Sequence, residues 1–272
     1  MSPLYGKIYE VSLINRISGF TVFFVFSIII NKLIQARRHY KLVSDELSFA
    51  NKELESFSYS VAHDLKAPLS AINGFCCVLL EDSGLTLNKE SVDLVNRIKM
   101  NSEKMAMLIN DLLKLSKVSL HEINLQVIDL SEIANTIADE LKVREPQRKF
   151  KFRIESGLKA MADKNLITNA LFNLLENAWK YTSKRDTAQI EFGLKHQDKT
   201  GVFYVKDNGC GFDMKDSSRI FEPFKRLHSE SQFPGTGIGM ATVERIIRRH
   251  GGRIWAEGEV DKGATFYFTL PR

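Results

Sequence analysis

Cysteine is scarce. Three occur in 272 residues, Cys76, Cys77 and Cys210, with no C-x-x-C pair and no spacing of the metal-binding kind. A disulfide framework and a zinc ribbon are thereby excluded, and the three read as small buried hydrophobes, reduced in a cytoplasmic compartment. No internal repeat and no low-complexity tract is present, which excludes a repeat array. Charge imbalance is missing from most of the chain. Residues 1–41 hold six basic residues (Lys7, Arg16, Lys32, Arg37, Arg38, Lys41) against the single acid Glu10, and the other 231 residues carry 32 of each sign. A nucleic-acid binder needs its basic excess on the folded region, so that class is excluded. A long uninterrupted apolar run is lacking too. The stretch Ile17–Ile30 counts 14 residues between Arg16 and Lys32, short of the ~20 a bilayer asks for.

That stretch reaches spanning length from Val11 to Ile34 if Arg16 and Lys32 snorkel to the interfaces. No small-residue A-x-A site follows it, which argues against a cleaved signal peptide. Lys32, Arg37, Arg38 and Lys41 put the C-terminal side in the cytoplasm. The expectation is one single-pass transmembrane helix in the inner or plasma membrane, with roughly ten residues outside, too few for a sensory domain.

The remainder divides in two. From Leu33 an apolar seam advances in alternating steps of three and four: Leu33, Ala36, Tyr40, Val43, Leu47, Ala50, Leu54, Phe57, Val61. This is a coiled-coil pattern and predicts a homodimer. The helix continues through "YSVAHDLKAPLS", where Pro68 removes a donor and should kink it near His63, and ends near Asp82 at "DSGLTLN". His63 lies two positions off the seam, so its side chain should point outward. A second helix is expected over Lys89–Val118, with Leu94, Ile98, Met105, Leu108, Leu112 and Leu115 on one face. Two such hairpins pair into a four-helix bundle. After Val118 strands and helices mix. "INLQVIDL" and "KFKFRIE" read as strands, Ser131 as a helix cap, and Asp163 as the cap of an apolar helix to Tyr181. Strands "QIEFGLK" and "GVFYVKD", a long glycine-bearing loop, a helix from about Gly237 to His250 and a final hairpin, "GRIWAEGE" with "ATFYFTL", complete an α+β sandwich with helices on one face of a mixed sheet. The segments are residues 1–41, a membrane segment with its basic flank; 42–120, the coiled coil and hairpin; and 121–272, the sandwich.

Four motifs in the sandwich carry chemistry. In "NLLENAWKYT", Asn173 and Asn177 share a helix face with Lys180 a turn beyond. Two carboxamide oxygens there can hold a hard cation such as Mg²⁺ beside a phosphate chain, though the pair also fits surface or capping residues. In "DNGCGF", Asp207 ends an apolar strand and can accept from an exocyclic amine, while glycines let a flat ring approach the backbone; a plain Asp-Asn-Gly turn reads the same way. "GTGIGM" runs into a helix and exposes N–H groups at its positive end. "FEPFKR" offers Phe221 and Phe224 as anchors of a lid and Arg226 for a terminal phosphate.

Together with "FSYSVAHDLKAPLSAINGF" and "GTGIGMATVERIIRRHGGRIWAEGEVDKGATFYFTLP", these motifs resemble the two-component sensor histidine kinases, over roughly residues 45–272, and look most like the cores of phytochrome-like and multi-sensor kinases. The resemblance implies a dimeric phosphoacceptor hairpin followed by a Bergerat-type ATP-binding domain. It implies His63 as phosphoacceptor and Asp64 as the acid at the base position. It implies Asn173 and Asn177 as Mg²⁺ and phosphate ligands, Lys180 and Tyr181 lining the phosphate and base region, and Asp207 reading the adenine amine, with Gly209, Gly211 and Phe212 shaping that wall. Gly235, Thr236, Gly237, Ile238 and Gly239 would take the phosphates, and Arg226 would approach the γ-phosphate. ATP and Mg²⁺ are the implied cofactors, and a separate response regulator is the implied partner, since no receiver domain is recognisable. A hinge is expected near Val118–Ile123.

Two departures stand out. Ala67 occupies the position, four after the histidine, where the family often has Thr or Asn, so weak phosphatase activity is expected. Cys210 and Met240 replace the usual β-branched or leucine residues, as tolerated apolar swaps. The competing readings are an ATP-binding dimeric scaffold that does not transfer phosphate, and a gyrase- or chaperone-type ATPase. The hairpin bearing "HDLKAP" argues against the second. The signal is not named by any input domain.

Overall fold

The computed structural model describes the backbone of residues 3–81, 88–120, 122–197, 200–229, 232–233 and 235–271; side chains are not described for residues 3–25 nor at some later positions, His63 among them. The chain divides into two units, Met1–Leu54 and Glu55–Arg272. The first is helical throughout its described length, within α1 (Pro3–Glu81). Among the described residues no helix is long and apolar enough to cross a membrane, so the expected span over 11–34 has no counterpart there. Leu33, Tyr40, Val43 and Leu47 of the heptad seam are exposed in the single chain.

In the second unit α1 continues and α2 (Lys89–Leu120) follows. The helix runs through Pro68 unbroken and on to Glu81, beside the end expected near Asp82. The loop expected at 82–88 lies almost wholly outside the described residues, and the outward orientation expected of His63 lies outside them as well. What joins the helices is a small buried cluster of Ala62, Leu69 and Ile109, with Leu112 and Leu113 packed on it. Ser102 adds a hydroxyl bond to the Leu69 carbonyl, 3.2 Å and buried. The apolar face expected on α2 is therefore only half used within one chain. Leu115 is buried, whereas Leu94, Ile98 and Met105 remain exposed.

The rest is an α+β sandwich. β1 (Gln126–Asp129) pairs antiparallel with β3 (Lys159–Ala162). A five-stranded sheet has the order β2-β4-β5-β7-β6, from β2 (Phe150–Ile154), β4 (Ala188–Gln197), β5 (Thr200–Asp207), β7 (Gly263–Phe268) and β6 (Ile254–Glu259). Only β2 and β4 run parallel. Helices α3 (Leu130–Arg144), α4 (Lys164–Tyr181) and α5 (Gly239–Arg249) bury their stripes, among them Leu130, Ile137, Leu141, Ile167, Leu171, Leu174, Ile246 and Ile247, against Ile190, Phe192, Val205, Phe266 and Phe268 of the sheet. Each such side chain contributes roughly 2 kcal/mol of burial. On the other face Trp255, Tyr267 and Tyr204 stand in register, with Lys195 over both tyrosine rings and Arg253 over the indole. A Cβ at Gly193 would lie 2.7 Å from the Tyr204 hydroxyl, so a larger residue there would push that ring aside.

Three expectations are corrected. Ser131 does not cap α3. Asp129 does, accepting from the Glu132 N–H at 3.0 Å. Ser131 is buried instead and ties α3 to the loop before β3, donating to the Glu155 carbonyl and accepting from the Leu158 N–H. The strand β3 was not expected: "KAMA" alternates too weakly, and pairing with β1 is what makes it a strand. Helix α5 starts at Gly239 rather than Gly237, because Gly237 has φ +78° and cannot belong to a right-handed helix.

Candidate nucleotide site

α4 carries the first motif, and its placement begins at its cap. Asp163, buried, accepts from the Leu166 N–H and from the Asn124 N–H, both at 3.0 Å. Its own N–H donates to Nε2 of the buried His250 at 3.0 Å. The start of α4, the chain leading into β1 and the end of α5 are thus fixed together. Along α4, Asn169, Asn173 and Asn177 follow at the helical repeat of four. The Asn173 amide donates to the Asn169 carbonyl and side-chain oxygen, at 2.9 and 2.8 Å. Its own Oδ1 faces the start of α5, only 2.6 Å from where a Cβ on Gly239 would sit. Asn177 donates to the Met240 sulfur at 3.1 Å. These bonds orient both carboxamides by fixing their NH₂ groups. Neutral amide oxygens suit a hard cation, so the donor set fits Mg²⁺, with Asn177 the better placed because Asn173 Oδ1 is packed on Gly239. Asn169 was missed in the sequence, although its spacing from Asn173 is the same signal that singled out Asn177.

Asp207 ends β5 and is buried, 4% exposed. Its Oδ1 accepts from the Gly209 N–H at 2.7 Å. Burial pushes its carboxyl up to about 6, against the downward pull of the Gly209 and Ala264 N–H groups and the charge of Arg185. The neighbouring glycines are required by the protein's own backbone, independently of any ring that approaches them. A Cβ on Gly209 would lie 2.7 Å from the Tyr181 carbonyl oxygen. Gly211, at φ +61°, would collide with the Glu259 carbonyl at 1.9 Å. Phe212 is buried against Phe266.

The side that carries the glycine motif is assembled from the loop before α5 and the end of α4. Ile238 is buried and stands at the N-cap of α5, where helix N–H groups emerge. The Lys180 ammonium lies 3.3 Å from the Cβ position of Gly235. Desolvation lowers its pKa first, Arg226 lowers it further, and Glu176 and Cys210 oppose. Arg226 donates to the Phe233 carbonyl. The Gly237 carbonyl accepts from the Phe224 N–H at 3.1 Å, which draws the glycine loop onto "FEPFKR". Within that segment Phe221 packs on the core as expected, but Phe224 is 54% exposed at φ +63° and anchors nothing. The aromatic anchor is Phe233, which packs against Tyr181 and His228, neither of the two last residues having been paired by sequence reasoning. Burial raises the pKa of the Tyr181 phenol.

Met240 and Cys210 are not merely apolar swaps. Met240 gives Asn177 a sulfur acceptor that leucine lacks, and Cys210 Sγ lies 3.2 Å from His228 Nε2. Thr236 does not face inward. Its hydroxyl donates to Asp111 on α2 at 2.7 Å. Arg245 and Arg249 of α5 donate to the Leu115 and Val118 carbonyls. Asp111 is two residues from Ile109, whose cluster holds Ala62, the neighbour of His63. At ~1.5 Å of rise per residue, the glycine loop meets α2 within one turn of that cluster. Asp64 is exposed on α1.

Comparison with known proteins converges on this arrangement. Residues 53–120 match the His Kinase A (phospho-acceptor) domain, and residues 162–272 match the histidine kinase-, DNA gyrase B- and HSP90-like ATPase. The chain is 35% identical over 247 residues to Cyanobacterial phytochrome B of Nostoc sp., covering 90% of this chain and 33% of that protein. It is 35% identical over 241 residues to the methanogenesis regulatory histidine kinase FilI of Methanothrix harundinacea, covering 88% of this chain and 27% of FilI. The sensor histidine kinase WalK of Bacillus subtilis is 29% identical, with 81% and 37% covered. The chain therefore spans about a third of the length of these relatives. Full-length ShkA, solved in complex with AMPPNP, shares the fold at a TM-score of 0.59 and 24% identity, over 79% of this chain and 45% of ShkA. Acinetobacter baumannii AdeS gives 0.52 at 20%, over 77% and 98%. A hairpin of the phospho-acceptor type whose second helix is met by the glycine loop of an ATPase sandwich identifies the chain as a core of the two-component sensor histidine kinase family.

Proposed function

We propose that this chain transfers the γ-phosphoryl group of Mg-ATP to His63 and passes it to an aspartate of a separate response regulator. A neutral imidazole nitrogen of His63 attacks the γ-phosphorus; the N–P bond forms as the bond to the bridging oxygen breaks, and ADP leaves with the electron pair. The remaining ring proton goes to Asp64. Asp207 accepts from the adenine amine, beside Gly209, Gly211 and Phe212. Lys180, Arg226 and the N–H groups at Gly235, Gly237 and Gly239 neutralise the phosphate chain as charge redistributes. Bound Mg²⁺, held through Asn177 with Asn173, supplies further charge neutralisation on the phosphate oxygens. Ala67 leaves hydrolytic dephosphorylation of the regulator poorly supported, so weak phosphatase activity is expected. The functional unit is a homodimer, and an N-terminal span over about residues 11–34 anchors it in the inner or plasma membrane with the kinase core in the cytoplasm. The anchor rests on the apolar run, its basic flank and the helical backbone of α1.

One observation carries the catalytic reading: the Thr236–Asp111 bond brings the glycine loop onto α2 within a turn of the cluster that holds Ala62, next to His63. The test is autophosphorylation of the full chain with γ-labelled ATP and Mg²⁺, beside His63→Gln and Asn177→Ala. Acid-labile, base-stable label that disappears in both variants is expected. ATP binding without any label in the wild-type chain would favour an ATP-binding scaffold. Label persisting in His63→Gln would remove the histidine from the mechanism.

A further inference from the structure

Arg185 belongs to none of the sequence motifs. It sits on the turn beyond α4, where its N–H bonds the Thr182 carbonyl at 3.0 Å, and its side chain is only partly exposed. Its guanidinium reaches across to the Asp207 wall. Nε donates to the Asn208 carbonyl at 2.8 Å, and Nη2 donates to the Gly209 carbonyl at 2.9 Å and to the Asp261 carbonyl. All three acceptors are main-chain oxygens, so the planar fork fixes backbone. The Asn208 and Gly209 carbonyls flank the N–H that bonds Asp207 Oδ1. The Asp261 carbonyl belongs to the β6–β7 turn, whose Asp261 N–H donates to the Cys210 carbonyl at 2.7 Å. The close approach of these segments also requires glycine at 211 and 263, where added Cβ atoms would strike the Glu259 and Asp207 carbonyls. One side chain thus ties three separate segments together: the end of α4, the Asp207–Gly211 loop and the β6–β7 turn.

Resting on the nucleotide-site reading above, we propose that Arg185 is a positioning residue for purine recognition: its three carbonyl bonds hold the Asp207 carboxylate and the Gly209 backbone at the geometry that selects an exocyclic amine. Selection depends on that geometry because adenine offers a donor where guanine offers a carbonyl. A carboxylate held rigidly and ionised welcomes the first and repels the second. Arg185 also contributes through its charge. The groups facing Asp207 are the Tyr181 phenol from α4, the Cys210 thiol from its own loop, the Ala264 N–H from β7 and Arg185. Among these Arg185 is the one cation, and its field favours the carboxylate against a strong desolvation cost.

The test titrates Mg-ATP and Mg-GTP into the full chain across the acid range to neutrality, for wild type, Arg185→Gln, Arg185→Lys and Asp207→Asn. For Arg185→Gln the expected result is about tenfold weaker ATP binding at neutral pH, a narrowed ATP-over-GTP preference, and an acid limb displaced upward. Arg185→Lys keeps the charge without the fork. Its acid limb should stay at the wild-type position while the ATP-over-GTP preference still falls. A merely structural role would lower Tm in both variants and leave limb and preference untouched, and that outcome overturns the proposal. If Arg185→Gln does not fold, an undiminished preference in Arg185→Lys overturns it alone. The underlying site is checked separately. Asp207→Asn should lose ATP binding, and retention of wild-type affinity there would sink the nucleotide-site reading together with the Arg185 role.

Discussion

Asp207 shows what a buried carboxylate costs the fold. It is nearly fully buried, and its ionised form is held by two backbone N–H groups and the field of Arg185. Desolvation still wins, lifting it from 3.8 to about 6. Because the unfolded chain releases this proton first, the contribution is most favourable below about pH 4 and is lost as pH rises through about 6. Asp207→Asn should therefore stabilise the ligand-free chain at pH 7 by up to about 3 kcal/mol, seen as a rise of several degrees in Tm that vanishes near pH 4. The same variant should bind ATP at least about tenfold more weakly. A lower Tm at neutral pH would show that the carboxylate's bonds outweigh its desolvation. Asp207, Asn173 and Asn177 could be found in the sequence because their spacing relative to strand and helix ends is local. Arg185, Phe233 and Asp111 could not, since their roles arise from contacts with Asn208, Tyr181 and Thr236, which lie 23, 52 and 125 positions away.

Elements whose signals are local were the most legible. The apolar stripe of α4 and its Asp163 cap, the alternation of β4, β5 and β7, and the extent of α2 could all be read directly. Where a hydroxyl had two possible partners, reading failed, as with Ser131 against Asp129, because only tertiary structure decides which polar side chain caps and which bridges. The docking of α5 on α2 was illegible for the same reason. It rests on the Thr236–Asp111 bond and on Arg245 and Arg249 reaching carbonyls at the end of α2. Removing one such hydroxyl bond should cost about 1 kcal/mol, a roughly fivefold shift toward the undocked sandwich. Asp111→Ala and Thr236→Val should each speed hydrogen exchange in the last turns of α2 and the first of α5, and the double variant should add little to either single change. Additive effects would mean that the two side chains act on separate contacts.

At the scale of the whole molecule, the charge distribution separates two tasks. The sandwich and hairpin are balanced in sign, which suits a domain that must dock and release, whereas residues 1–41 concentrate the entire net charge of +5 beside the apolar run. The bilayer anchor proposed above accounts for that concentration: four of the six basic residues, Lys32, Arg37, Arg38 and Lys41, lie C-terminal to the run, and α1 keeps a helical backbone through it. The argument predicts a response to charge placed inside the run. At the centre of a membrane helix a lysine costs about 2.5–3.5 kcal/mol, so Phe24→Lys should weaken anchoring and Phe24→Lys with Ile28→Lys should abolish it. Membrane fractions washed with alkaline carbonate should retain the wild-type chain and release the double variant. ATP affinity measured in detergent should be the same for both, because Asp207 and Asn177 lie in the other unit of the chain. Wild-type chain stripped off by the wash would reject the anchor and leave the basic flank to be explained as a surface contact, and an affinity that fell with the double variant would mean that the N-terminal helix acts on the nucleotide site as well as holding it at the membrane.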